Sequence, residues 1–592
     1  MIVACCGRVV PYTGIEVSGS PNLPAFSSPL NGKVLVLGED TRGFLASIRS
    51  FGRAGLSVHT AWCPLNSSAL RSKYVSRNHQ LPAYAHDNLQ WLEAFCELLE
   101  REKFDLVLPC TDGIILSLQL HRDVVERCRG VHLLPDDVYW TCASKARTHA
   151  LALSLGIPVP RQLPVSSLAE LHESAVQLGF PLVLKPLSSS TAYDPMNRQN
   201  VVKARTPADL DGLGMKLLDE SSPILVQQNV PGMGVGVEFL ARDGVILTAF
   251  QHERVHEAPA GGLSGYRRSV PLDPGMYRAA GQLARALNYT GLAMVEFKQH
   301  PEKREWALIE INARVWGSLP LSIAAGIDFP RSLYEMLVLN RNEFPREYRE
   351  NLYCRHWISD IDWLRANATA DPNDPTLLVK SYSSIASELG NILSLRERSD
   401  TFQMDDPVPA FHELNQFFAL KTLGLLKRFR FYRELKGRRA IQAFTRARNV
   451  LFVCFGNICR SPFAARRLQT LAPELTVVSA GVHLVPDRRS PAPAIEAAAR
   501  FDVDLAGHRS AVLESAMVDR ADVIFIFDYH NWNDMGRRFG GCESKVHFLG
   551  ALDPGGTLEV NDPYGSAVEQ FDYCYQRIDR ALHALLSSAE SD

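Results

Sequence analysis

Late in the chain, Cys454 is followed, after five intervening residues, by Arg460 and then Ser461, within Val450-Leu451-Phe452-Val453-Cys454-Phe455-Gly456-Asn457-Ile458-Cys459-Arg460-Ser461-Pro462. These residue types at this spacing build a cradle for a phosphoryl group around a nucleophilic thiolate. The loop turns its backbone N–H groups inward, and the guanidinium closes the ring with a planar fork that matches a tetrahedral oxyanion. The positive field of the loop and of the helix N-terminus behind it favours the thiolate. Gly456 and Asn457 suit a tight loop. Further on, Asn561-Asp562-Pro563-Tyr564-Gly565 supplies a loop carboxyl that can protonate a leaving oxygen and then activate water.

A second constellation lies earlier in the chain. Lys145 opens a helix, and the strand Phe180-Pro181-Leu182-Val183-Leu184-Lys185 ends in a lysine. Leu292–Phe297 and Ala307–Arg314 read as two further strands. Alternation along the second puts Glu310, Asn312 and Arg314 on one face, where Glu296 from the first can meet them. Two lysines neutralise phosphates as point charges. Glu296, Glu310 and Asn312 are hard oxygen ligands suited to Mg²⁺, and Arg314 can hold a γ-phosphate or an acyl-phosphate. The set suits nucleoside triphosphate chemistry. Arg254, His256, Arg267 and Arg268 flank the glycine-rich stretch Gly261–Gly265; they either read a substrate or belong to a solvated loop.

The elements that must position these groups are legible as well. A buried strand delivers Cys454, Ser461-Pro462 opens a helix through Leu468, and an amphipathic helix spans Val568 to Leu586. Residues 33 to 135 alternate strands (Lys33–Gly38, Ser57–Ala61, Leu106–Pro109) with helices such as Gly43–Ala54, the pattern of a small doubly wound α/β domain. Its turn Gly38–Gly43 lacks the glycine spacing of a dinucleotide fingerprint. Ile224–Gly232 is a strand leading into a turn.

Residues 346 to 448 read as a helical connector, broken at Asp405-Asp406-Pro407-Val408-Pro409. From Lys421 to Arg448, ten basic side chains are opposed by Glu434 alone. That segment is either a basic amphipathic helix lying weakly on anionic lipid or a linker helix resting on one domain.

At 592 residues the chain requires several cores. A hydrophobic fraction of 46% with 22% charged residues is that of a globular protein, and a net charge of −2 argues against nucleic acid as a partner. No apolar run reaches membrane-spanning length. The first thirty residues lack a signal-peptide pattern and read as a loosely ordered leader. Twelve scattered cysteines without framework spacing imply free thiols and a cytoplasmic location.

Residues 449 to 588 resemble the low-molecular-weight protein tyrosine phosphatases. Besides the cradle and Asp562-Pro563-Tyr564, the likeness rests on Ser479-Ala480-Gly481, His508-Arg509-Ser510 and the strand Ala521–Asp528. It implies that Cys454 attacks phosphorus, Arg460 binds the phosphoryl group and Asp562 is the acid and base, without a cofactor. Ser461 is implied to donate to the thiolate, and Asn457, Ser479 and His508 to hold the loop. Tyr564 is implied to line the mouth and favour aromatic phosphoesters, and Cys459 to form a reversible disulfide with Cys454. Phe527 stands where the family usually has Met, and Ala465 where it often has Glu. The related arsenate reductases share the cradle and are a minor alternative; they need a cysteine pair mid-domain, where this chain has only Cys542, with Cys574 near the end.

About residues 33 to 345 resemble the ATP-grasp superfamily, in its carboxylate–amine ligase and carbamoyl-phosphate-synthase-like branch, through Glu310-x-Asn312-x-Arg314-x-x-Gly317 and the strands before it. The likeness implies that Lys145 and Lys185 bind ATP phosphates, that Gln227, Gln228 and Val230 lie in the adenine hinge, and that Glu296, Glu310 and Asn312 bind Mg²⁺ or Mn²⁺. The implied reaction activates a carboxylate as an acyl-phosphate and captures it with an amine. Two departures, the serine-rich Ser188-Ser189-Ser190 after Lys185 and the Gln227-Gln228 hinge, keep open a phosphatase regulated by a non-catalytic ATP-binding module.

The expected architecture is multidomain α/β: leader 1–30, pre-ATP-grasp α/β domain 31–138, ATP-grasp α+β domain 139–345, connector 346–448, and a doubly wound parallel-sheet phosphatase domain 449–588. The expected function is a fusion of ligase and phosphatase. It would act on a small carboxylate, an amine, and a phosphotyrosine protein or small phosphoester.

Overall fold

The computed structural model describes residues 29–38, 42–82, 84, 89–187, 201–220, 223–259, 261–262, 264–300, 302–372, 374, 377–426, 430–483, 486–539 and 541–589. Most of the leader and the serine-rich loop Ser188–Ser190 lie outside them. Among the described residues, nineteen strands form four sheets.

The first sheet comprises β1 (Lys33–Leu37), β2 (Ser57–Ala61), β3 (Val75–His79) and β4 (Leu106–Pro109), all parallel in the order 3-2-1-4. Its central strand is apolar on both faces, as a parallel strand covered on two sides must be. Val34 and Val36 pack with Phe44, Ile48 and Phe51 of the helix Arg42–Arg53, while Leu35 and Leu37 pack with Trp91, Phe95 and Leu98 of the helix Gln90–Glu102.

The second sheet, β5 (Gln162–Val165), β6 (Leu182–Pro186), β7 (Val202–Ala204) and β8 (Ile224–Gln228), is antiparallel in the order 5-8-6-7. Its core joins Leu182, Leu184, Ile224 and Val226 to Leu171 and Leu210 of the helices Leu168–Leu178 and Pro207–Glu220.

The third sheet holds β9 (Met233–Arg242), β10 (Val245–Glu257), β11 (Ser264–Ser269), β12 (Gly291–Gln299), β13 (Trp306–Asn312), β14 (Tyr353–Arg355) and β15 (Glu397–Ser399), in the order 13-12-9-10-11-14-15. One face packs on the helix Pro274–Ala286, which starts with Pro at its first position and Asp273 capping the N–H groups of Gly275 and Met276. On the other face, Leu240, Phe250, Leu292 and Met294 share a core with Phe44 and Ile48 of the first unit. The first and third sheets thus clamp a common apolar layer.

The span expected to be a helical connector departs from that reading. It contributes β14 and β15, which extend the third sheet at its edge. Its Asp405-Asp406 pair does more than break a helix. Asp406 is buried and accepts from Arg49 Nε at 2.9 Å, Ser72 Oγ at 2.7 Å and Lys73 N at 3.0 Å; Asp405 pairs with Arg53 at 2.7 Å. The connector is therefore strapped to the first sheet's helix. In the basic segment the described residues are helical over Val408–Leu426 and Arg430–Phe444. The second of these buries Gly437, Ala440 and Phe444 against the last domain, and Arg433 Nη2 donates to the carbonyl of Pro554 at 3.1 Å.

The fourth sheet, β16 (Asn449–Cys454), β17 (Thr476–Gly481), β18 (Val523–Ile526) and β19 (Val546–Phe548), is parallel in the order 17-16-18-19. The helix Val568–Ala589 closes one side with Phe571, Tyr575, Ile578, Leu582 and Leu585, a stripe at helical spacing. Tyr575 stacks on Phe463 of the helix Arg460–Leu471 at 3.9 Å between centroids. Among the described residues, no helix is long and apolar enough to cross a membrane.

Candidate active sites

Cys454 is the last residue of β16 and is 2% exposed. The loop after it is organised by Asn457, which adopts φ +52° in the left-handed region where Asn is among the tolerated residues. Every polar atom of Asn457 is used. Its N–H points at Cys454 Sγ, 3.3 Å away, and its carbonyl accepts from His508 Nε2 at 2.7 Å. Its Oδ1 accepts from Ala511 N at 2.8 Å, and its Nδ2 donates to Ser461 Oγ and Ser479 Oγ, both at 2.9 Å. Because Ser461 Oγ accepts there, its own proton is left to point at Cys454 Sγ, 3.0 Å distant. Gly481 at the end of β17 lets the loop approach: a Cβ there would lie 2.8 Å from the Phe455 carbonyl and 3.0 Å from Asn457 Cβ.

Arg460 is 1% exposed and spans two carboxylates. Nη1 donates to Asp528 at 2.5 Å and to the Val560 carbonyl at 3.0 Å; Nη2 donates to Asp562 at 2.6 Å. Burial opposes its charge, but Asp562, Cys454 and Asp528 outweigh burial and raise its pKa. Asp562 thus stands beside the guanidinium with its side chain about two-fifths exposed (41%), reachable from solvent. Tyr564 is half-buried against the core, and its N–H donates to Asp562 Oδ1 at 3.2 Å. Burial lowers the pKa of His508 and keeps the ring neutral, so one nitrogen carries the proton it donates to the loop. Cys459 stands just before the following helix, 3% exposed, and burial with Asp562 and Cys454 nearby pushes its thiol pKa well up.

The second constellation surrounds a cavity of about 950 Å³. Lys145, Lys185, Gln227, Gln228, Val230, Glu296, Glu310, Asn312 and Arg314 all line it. Lys185 is buried and donates to Gln227 Oε1 at 3.1 Å; burial, and then Lys145, lower its pKa to about 8. Two buried lysines that repel one another make a place for a polyanion.

Glu296 and Glu310 are direct cross-strand partners on β12 and β13. Asn312 Nδ2 donates to Glu310 at 3.2 Å, and Arg314 Nη2 to Asn312 Oδ1 at 3.0 Å. Two carboxylates and an amide oxygen on one face fit a Mg²⁺ ion that takes its remaining oxygens from phosphates. Among the described residues, no group of three or more His, Cys, Asp or Glu is arranged to hold a metal unaided.

Of the four flanking basic residues, Arg254 and Arg267 line the cavity and His256 and Arg268 do not. His256 is fully buried, stacked on Trp363 at 3.5 Å between Asp360 at 2.6 Å and Glu388 at 2.8 Å. It ties β10 to the connector and reads no substrate. Arg268 pairs with Glu253.

Residues 449–592 match the family model described as low molecular weight phosphotyrosine protein phosphatase. The probable low molecular weight protein-tyrosine-phosphatase EpsP of Ralstonia nicotianae is 30% identical over 137 residues, which are 23% of this chain and 92% of that protein. Wzb of Escherichia coli K12, a low molecular weight protein-tyrosine-phosphatase, is 32% identical over 133 residues, 22% of this chain and 89% of its own. Through this segment, the chain belongs to the low molecular weight phosphotyrosine phosphatase family. A second family model, ATP-grasp in the biosynthetic pathway with Ter operon, matches residues 220–357. Among solved structures, the L-amino acid ligase from Bacillus licheniformis is 17% identical with a TM-score of 0.41, covering 52% of this chain and 74% of that one.

In the phosphatase segment the cradle contains one residue that the motif reading did not single out. Asp528 follows β18, at the carboxyl edge of the parallel sheet, and holds Arg460 from the side opposite Asp562. Its place at that edge, where loops of such sheets gather their chemistry, was the available signal. In the ATP-grasp segment the unanticipated partners are Arg254, 2.8 Å from Glu296, and Asp112 of the first unit, 2.7 Å from Arg314 Nε.

Proposed function

We propose that the C-terminal site hydrolyses aryl phosphomonoesters, phosphotyrosine among them, through a phospho-cysteine on Cys454. The observation that carries this reading is the convergence of the Asn457 N–H and the Ser461 hydroxyl on one buried sulfur, with Arg460 beside it. Both donors favour the thiolate over the thiol. Arg460 has a rigid fork for the equatorial phosphoryl oxygens. Asp562 protonates the departing phenolate, then takes a proton from water as the S–P bond is hydrolysed. Tyr564 lines the entrance on the aromatic side of the substrate. The reversible pairing of Cys459 with Cys454 belongs to this reading, as does a cytoplasmic location that keeps both reduced. Replacement of Cys454 by Ser should abolish hydrolysis of an aryl phosphate while phosphate still binds; undiminished turnover would refute the assignment.

For the larger half we propose ATP-dependent joining of a carboxylate to an amine. Lys145, Lys185 and Arg314 would neutralise the triphosphate, Gln227, Gln228 and Val230 would border the base, and Glu296, Glu310 and Asn312 would hold Mg²⁺. That ion would offset the charge of the phosphates during transfer. The paired buried lysines facing a carboxylate pair across one cavity support this reading. A second reading, nucleotide binding without ligation, is favoured by the pairing of Glu296 with Arg254 at 2.8 Å, which occupies a metal-ligand carboxylate. ADP release from ATP and Mg²⁺ that rises when pooled carboxylates and amines are added excludes the binding-only reading; its absence excludes ligation. The exposed side of the helix Arg430–Phe444, with Phe431 and Leu435 beside Arg430, Arg438 and Arg439, is the surface for any weak contact with anionic lipid.

A further inference from the structure

The helix Val408–Leu426 of the connector has its polarity reversed. Its polar side chains face the rest of the protein. His412 Nδ1 is 3.2 Å from Ser68 Oγ, Gln416 Nε2 donates to the Asn66 carbonyl at 2.6 Å, and Glu413 Oε1 is 2.8 Å from His356 Nε2. Phe411, Leu414 and Phe418 follow the i, i+3, i+7 spacing of one helix face and are between 41% and 61% exposed. Phe402, also exposed, extends this stripe, its ring edge-on to Phe411 at 6.1 Å between centroids. The helix Trp357–Thr369, joined to this one through His356 and Glu413, shows the same inversion: Asp360 and Asn367 are buried, whereas Trp357, Ile361 and Leu364 are exposed. A surface helix ordinarily turns its apolar stripe to the core. Two linked helices that do the reverse mark a docking surface.

Charge decides what docks there. From Leu414 to Arg433, twenty residues carry five Lys or Arg and no Asp or Glu. Lys421, three residues beyond Phe418, is exposed, and so is Arg430 at the start of the next helix. Their partners, Asp362 at 4.0 Å and Glu434 at 2.7 Å, are themselves open to solvent, so these pairs are weak and leave both cations available. Rings and a leucine bordered by Lys and Arg are what an anionic bilayer holds: the apolar side chains enter the acyl boundary while the cations stay among the headgroups. A second copy of the chain fits less well, because an isologous contact sets the same patch against itself and brings the two basic runs toward each other. Among the described residues, no helix is long and apolar enough to cross a membrane, so the helix would lie in the plane of the surface.

We propose that Phe402, Phe411, Leu414 and Phe418 form a membrane-docking edge that inserts into the headgroup boundary of an anionic bilayer. This deepens the lipid contact proposed for Arg430–Phe444: the basic helix attracts the surface, and the aromatic edge holds it. The edge does not line the large cavity and lies outside the phosphatase domain, so docking leaves the chemistry of both sites untouched.

The test is co-sedimentation of the full chain with vesicles of phosphatidylcholine alone and of phosphatidylcholine mixed with phosphatidylglycerol, at low and high salt. The variants are Phe411→Ser with Phe418→Ser, the milder Leu414→Asn, and Arg438→Gln with Arg439→Gln. An unchanged turnover of p-nitrophenyl phosphate and an unchanged melting temperature show that each is folded. The expected result is binding of the unmodified chain to the anionic vesicles and binding roughly tenfold or more weaker to the neutral ones. The double serine variant should bind the anionic vesicles roughly 10- to 100-fold more weakly, with a smaller loss for Leu414→Asn. The arginine variant should lose binding at low salt and less at high salt. Serine variants that bind as tightly as the unmodified chain overturn the inserted edge and leave the basic helix's contact standing. No binding to anionic vesicles overturns both. A dimer in sedimentation velocity that the serine variant dissociates, without vesicle binding, gives the face to a second copy and likewise overturns the proposal.

Discussion

At the residue scale, the phosphatase chemistry depends on how few atoms are left uncommitted around Cys454. Asn457 uses its whole hydrogen-bonding capacity to hold the loop in a left-handed turn and to turn the Ser461 hydroxyl onto the sulfur. Asn457→Ala should therefore lower turnover of p-nitrophenyl phosphate and also destabilise the domain, by about 1–3 kcal/mol for the stranded groups, as read by denaturant unfolding. Asp528 positions Arg460 without facing the reacting oxygens. Asp528→Asn should raise KM for p-nitrophenyl phosphate roughly tenfold or more, in line with the loss of one charge-assisted hydrogen bond, with a smaller effect on kcat. A larger fall in kcat than rise in KM would speak against a positioning role. Asp562→Ala should slow phenyl phosphate more than p-nitrophenyl phosphate, by on the order of 100-fold for the poorer leaving group.

Titration follows from the same contacts. The folded pKa of His508 lies below its usual value of 6.5, so the unfolded chain takes up that proton first. This contribution to stability is complete above that value and is lost as pH falls through it, which a melting series between pH 7.5 and 5 will register for the phosphatase segment. Lys185 titrates near 8. Nucleotide affinity should fall as pH rises through that value, roughly tenfold by pH 9, because only the protonated fraction is ready to bind a triphosphate.

At the element scale, what could be read from the chain was what local pattern dictates. The apolar run ending in Cys454, the Ser-Pro helix start and the apolar stripe of Val568–Ala589 obey short-range rules, and the structure has them at the expected places. The alternation that put Glu310, Asn312 and Arg314 on one face was legible for the same reason. The connector was not. Its strands Tyr353–Arg355 and Glu397–Ser399 are three residues each, too short to show a period of two, and they exist because the edge of a long sheet was available to pair with them. His256 was misjudged because its burial depends on Trp363, Asp360 and Glu388, all distant in sequence. The helix Arg430–Phe444 read either as a basic helix on anionic lipid or as a linker helix resting on one domain, and Gly437, Ala440 and Phe444 pack against the phosphatase core as the second reading has it. Phe444→Ala should therefore destabilise that domain by about 3–5 kcal/mol, and a segment beginning at residue 449 should melt earlier than one beginning at 430. Equal melting temperatures would remove this helix from the domain.

At the scale of the whole molecule, one chain carries two candidate sites with different requirements. The phosphatase site lies within the fourth sheet and its helices, whereas the large cavity draws on the first unit, the second and third sheets and the connector, with Arg42, Asp112 and His356 in its lining. Chelation of divalent metal should therefore abolish ADP release and leave aryl phosphate hydrolysis intact. Severing the strap with Asp406→Ala, which strands the buried Arg49, should loosen the first unit and impair nucleotide binding before it touches Cys454. The account stands most directly on the covalent intermediate. Full-length protein carrying Asp562→Ala, quenched in acid during turnover of an aryl phosphate and digested for mass spectrometry, should show one phosphoryl group on the peptide bearing Cys454, formed with or without ATP and Mg²⁺ and absent when Cys454 is also replaced by Ser. A peptide that stays unmodified throughout turnover, or a phosphoryl group carried by another residue, would contradict the account.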